Sequence, residues 1–165
     1  MNVGRARDGL RGVLEVAVLV LMASLAVVVV VGVGFRKFGA SLVWYDEVAS
    51  ILLAWLTYYG AALAALHRAH IGMPTLLERV STRTRLVLVV VGEVGVLTFF
   101  GVLTWAGVRV LSVLGGTTLV SLPFVPASVA QSVIPIGAVL FIAAQLLSLP
   151  EVLRRPPSPA EEDGS

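Results

Sequence analysis

Few side chains in this 165-residue chain are of a type that does chemistry, and they are far apart. Glu93 stands inside the otherwise uncharged run from Leu86 to Val108. An ionisable group at membrane depth is costly and marks a functional position by default, with a partner to be found. A proton relay needs further buried acids in line, and the sequence has none. An anchoring hydrogen bond or a contact with a partner protein is therefore the expected role. Antiparallel counting puts Thr57, Tyr58 or Tyr59 and Gln145 at a similar depth, ~10 Å above the end of the helix. His67 and His70 have the spacing of neighbouring metal ligands, but no third or fourth ligand lies near them in sequence. No other segment supplies a histidine to share a haem, so both read as residues of the membrane interface. Asp46 and Glu47, directly after Trp44 and Tyr45, suit the positive first turn of a helix, with the tryptophan at headgroup level. A contact with a partner is the competing role for this group. With no cysteine, thiolate metal sites, disulfides and cysteine nucleophiles are excluded. Gly-x-Ser-x-Gly, Walker and Gly-x-Gly-x-x-Gly patterns are absent too. No enzyme, cofactor or metal centre is expected.

The elements that must position these residues are apolar helices. The chain is 58% hydrophobic and 13% charged, with a mean hydropathy of +0.96, well outside the range of soluble domains. About 20 apolar residues are needed to cross ~30 Å of hydrocarbon. Residues 16–35, 48–66 and 86–108 each meet that length, the third interrupted by Glu93 alone. The run from Val110 to Pro150 has no charge and is too long for one helix. Its centre, Gly115 to Pro126, is rich in turn formers, so the third helix should end near Leu114 and a fourth should span 127–149. Pro135 falls inside that fourth helix and predicts a kink. The expected fold is an all-α membrane protein of four transmembrane helices over residues 1–155. Residues 156–165, Pro-rich then acidic, are expected to be a disordered tail.

Basic residues predict the orientation. Nine lie at the N-terminus, in the middle loop and at the C-terminus, against Arg36, Lys37 and Arg109 on the other face. The excess puts both termini in the cytoplasm. Although pI is near 9.5, these charges flank apolar blocks, and the expected partner is the lipid bilayer rather than nucleic acid. The first apolar run is too long for a cleaved signal peptide and is expected to stay in the membrane. In the middle loop, Met73 to Val80 has proline where a first turn tolerates it, with Leu76, Leu77 and Val80 on one face. This predicts a short interfacial helix. Small residues Ser50, Ala54, Thr57, Ala61 and Ala65 on the second helix, and Gly92 and Gly95 on the third, suit close helix packing.

One ordered set of motifs is more specific. Trp44-Tyr45-Asp46-Glu47, then Trp55, Gly60-Ala61 and His70-Ile71, resembles the small membrane subunit of tripartite ATP-independent periplasmic (TRAP) transporters, the DctQ type. Leu122-Pro123 and Ile134-Pro135-Ile136-Gly137 resemble that family's proline-bearing loop and fourth helix, so the likeness covers nearly the whole chain. The chain departs at Ser50, where the family often has arginine, and at Gly72 to Pro74, where it often has an acid. The resemblance implies a subunit of the bacterial inner membrane that scaffolds a large membrane subunit. That large subunit would carry the substrate and ion sites, for ion-gradient-driven uptake of a small organic acid captured by a periplasmic solute-binding protein. Trp44, Asp46, Glu47, Trp55, Gly60, His70 and Glu93 are the candidate subunit-contact or packing residues. The rival reading is a stand-alone four-helix transporter acting as a homo-oligomer.

Overall fold

The computed structural model describes residues 3–40, 42–67 and 82–154. The expected interfacial helix at 73–80, His70 and the acidic tail lie outside the described residues. Five helices follow in order: α1 (Val3–Lys37), α2 (Tyr45–Leu66), α3 (Thr82–Val113), α4 (Ala127–Gln131) and α5 (Val133–Arg154). Among the described residues no strand is formed, and four stretches are long and apolar enough to cross a membrane. These are Gly4–Lys37, Tyr45–Leu66, Val90–Val113 and Ala127–Ser148.

α1 is longer than its apolar run. It begins at Val3 rather than near Val16, because no proline interrupts the N-terminal residues and the Arg11 and Glu15 side chains pair one turn apart at 2.7 Å. Its other end closes in a Schellman turn. Gly39 takes a φ of 79°, Ala40 donates to the Phe35 carbonyl at 3.1 Å and Gly39 to that of Arg36 at 3.2 Å. The expected kink at Pro135 is instead a break. α4 ends at Gln131, and α5 starts at Val133 with Pro135 in its first turn. A proline there has no N–H for the Gln131 carbonyl, and its ring crowds that carbonyl, so an uninterrupted helix through 131–135 is disfavoured.

The long helices form an open row. α2 packs on α1 and on α5, and α5 packs on α3, so α1 and α3 stand at opposite ends. The core lies across the row near the level at which α2 ends: Leu14, Ala62, Ala65, Leu66, Phe141 and Ala144 are all buried. Phe100 of α3 stacks on Phe141 at 3.8 Å between ring centroids. Closest approach falls at glycines other than Gly60, Gly92 and Gly95. A Cβ on Gly107 would come within 2.8 Å of the Pro135 ring, and one on Gly137 within 2.6 Å of the Tyr58 Cβ. A Cβ on Gly32 would overlap the Tyr45 ring. Gly60, Gly92 and Gly95 face open space instead. Most valines and leucines of α1 and α3 point outward, as expected where lipid or another membrane chain is the solvent.

Candidate functional site

Two polar contacts, at different levels of the row, gather most of the candidate residues. The first lies where α2 starts. Trp44 is the residue before the helix and supplies no side-chain cap, so Tyr45, Asp46 and Glu47 form the first turn. Asp46 is exposed, and its carbonyl accepts the Ser50 hydroxyl at 2.7 Å. Glu47 does not turn back to cap its own helix. Its carboxylate reaches the segment between α3 and α4, accepting the backbone N–H of Ser121 at 2.8 Å and of Val120 at 3.1 Å. The Ser121 hydroxyl donates in turn to the Val43 carbonyl at 3.3 Å. Two consecutive N–H groups on one carboxylate form a charge-assisted clamp between chain segments far apart in sequence.

The clamped segment has its own internal order. Gly116 takes a φ of 91° just past α3, and Leu119 donates to Val125 at 3.0 Å beside a bridge between Thr118 and Pro126. Ala127 opens α4 by donating to the Thr117 carbonyl at 3.0 Å. One level further in, the Trp55 indole N–H donates to the Ala130 carbonyl at 3.3 Å, and its ring stacks on Tyr59. Trp55 therefore ties α2 to α4 just before the break at Ser132.

The second contact joins α3 to α5. Gln145 donates from Nε2 to Oε2 of Glu93 at 2.8 Å. Of the partners counted from sequence, Gln145 is the one that meets Glu93. Thr57 bonds its own helix at Leu53, and Tyr59 lies under Trp55. Oε1 of Glu93 is buried and has no hydrogen-bond partner among the described residues. Where α1 begins and α2 ends, Arg7 donates to the Leu66 carbonyl at 3.0 Å and satisfies the last turn of α2. His67 caps α2, with Nδ1 3.1 Å from the Leu63 carbonyl and Nε2 3.6 Å from Glu15.

The structure thus gives Glu47, Trp55 and Glu93 partners on other helices or segments, leaves Asp46 on the surface, and gives Gly60 no close neighbour. Sequence reading missed the acceptor role of Glu47 towards Val120 and Ser121. Backbone N–H groups leave no trace in residue type, and the only signal was an uncharged loop that had to satisfy its own polar groups. Among the described residues, no three of His, Asp and Glu converge as metal ligands. The family model described as tripartite ATP-independent periplasmic transporters, DctQ component, matches residues 25–155. No curated protein matches the chain.

Proposed function

The chain belongs to the DctQ component family of tripartite ATP-independent periplasmic transporters, and from that premise we propose that it is the small permease subunit of such a transporter. It scaffolds a large membrane subunit in the inner membrane, with both termini in the cytoplasm. The large subunit, driven by an ion gradient, takes up a small organic acid delivered by a periplasmic binding protein. The family is one of transporter components and not of enzymes.

The observation that carries the scaffold role is the open row. Each apolar helix is satisfied by neighbours on one or two sides only, and the outward faces of α1 and α3 are left to lipid or to another chain. A transport pathway needs polar groups converging at mid-membrane from paired, interrupted helices. Here the polar side chains are used singly, each to fasten one segment to the next: Glu47 to the loop, Trp55 to α4, Gln145 to Glu93. The test is reconstitution. With the large subunit and the binding protein, the chain should be required for solute uptake into proteoliposomes. Uptake by the other two components without it, or transport by this chain alone, would overturn the reading.

A further inference from the structure

Between Leu86 and Pro150, which take in most of α3, the loop, α4 and most of α5, Arg109 is the one basic residue. Its guanidinium lies over the Trp105 ring, 5.5 Å from the centroid. No described residue gives it a carboxylate. Glu47 is committed to the loop and Glu93 to Gln145, and Val110 to Pro150 contains no charge at all.

Packing fixes how deep this cation lies. Gly107, two positions away, presses on Ile134 and Pro135, beyond the level at which Trp55 meets Ala130. Trp55 is itself eight positions into α2 from Glu47, ~12 Å at 1.5 Å per residue. Arg109 therefore stands on the order of 12 Å inside the Glu47 level, and it lies within the apolar stretch Val90–Val113. Snorkelling to the headgroups at the near surface would carry the side chain towards the C-terminal end of α3. The observed side chain leans the other way, one turn back onto Trp105, as helical side chains prefer. Trp105 is 64% exposed and Val102 59%, so the whole face is uncovered at the end of the row.

We infer that this face of α3 is a contact surface for the large membrane subunit, and that a carboxylate on a helix of that subunit pairs with Arg109. The inference rests on the scaffold reading and names the surface and the chemistry through which it acts. Charge complementarity selects the occupant. An ionisable group at this depth faces a protein neighbour and pairs with it, whereas a lipid phosphate sits at the level from which this side chain points away. Trp105 supplies the aromatic wall that keeps the pair dry.

The test uses the full transporter with the large subunit tagged. Wild-type chain should co-purify with it, Arg109→Gln should lower the recovered chain at least ~tenfold, and Arg109→Lys should restore part of it. A photoreactive benzoyl-phenylalanine replacing Trp105 should cross-link to the large subunit, while the same group replacing Val30 on α1 serves as a control at the opposite end of the row. Normal recovery of Arg109→Gln, with position 105 cross-linking only to phospholipid or to a second copy of this chain, overturns the inference and leaves the scaffold reading standing. Failure of the wild-type chain to co-purify overturns both.

Discussion

Ser121 donates its backbone N–H to the Glu47 carboxylate at 2.8 Å across 74 positions of sequence, and this bond fixes the α3–α4 segment against the first turn of α2. A charged acceptor holding two N–H groups is stronger than a neutral one, and its removal strands both donors. Glu47→Ala is therefore expected to lower stability, read as an earlier thermal transition of the purified protein. Glu47→Gln keeps an acceptor and should fall between. Asp46→Asn should change stability by less than about 0.5 kcal/mol, because its side chain is exposed. Equal effects at 46 and 47 would mean that helix-end charge, and not the clamp, stabilises this end.

The Glu93–Gln145 pair calls for a double-mutant cycle. Glu93→Gln should keep the contact with Gln145, while Glu93→Leu leaves the half-buried Gln145 amide without an acceptor, at about 1 kcal/mol. Replacing both residues by leucine should recover most of that loss, since two apolar groups leave nothing unsatisfied. If Glu93→Gln abolishes uptake while assembly is intact, the carboxyl has an ionisation-dependent role beyond packing.

Glycines separate into those that permit contact and those that do not. At Gly107 a Cβ would stand 2.8 Å from the Pro135 ring and 3.1 Å from its backbone nitrogen. Neither atom belongs to a flexible side chain, so Gly107→Ala should cost about 1–3 kcal/mol through displacement of α3 from α5. Gly92, with open space around it, should accept alanine with no loss and gain up to about 1 kcal/mol from helix propensity. Thermal scans of the two variants in one detergent decide it.

How much of this was legible in the sequence follows from what each feature depends on. The long apolar helices were, since length and absence of charge suffice: α2 ends at Leu66 and α4 begins at Ala127, as read from the residues. The pairing of Glu93 with Gln145 was within reach because antiparallel helices permit counting along a regular rise. The break before Pro135 was visible as a disturbance, but whether it becomes a kink or a stop depends on the contact with Gly107, a tertiary fact. The small-residue stripe misled at Ser50 and Thr57. Both are exposed and bond their own helix, a use of hydroxyls that periodicity cannot distinguish from helix packing. In the sequence Arg109 counts with Arg36 and Lys37 as a charge on the face opposite the termini. Only the level of Gly107 against Pro135 brings it inside.

The proposed orientation has its own check, because the chain has no cysteine and any introduced one is unique. Val120 is 92% exposed, and only its backbone N–H takes part in the clamp, so Val120→Cys should leave the fold intact. Gly4 has open space around it, so Gly4→Cys should be tolerated as well. The excess of nine flanking basic residues over Arg36 and Lys37 puts the first of these sites in the periplasm and the second in the cytoplasm. A membrane-impermeant maleimide added to intact cells with a permeable outer membrane should label Val120→Cys and spare Gly4→Cys until the inner membrane is opened. The reverse pattern would invert the chain and place the Glu47 clamp on the cytoplasmic side, where a periplasmic binding protein could never meet it. Labelling of both sites from outside would require an even number of crossings between residues 4 and 120, which the helices α1, α2 and α3 do not provide.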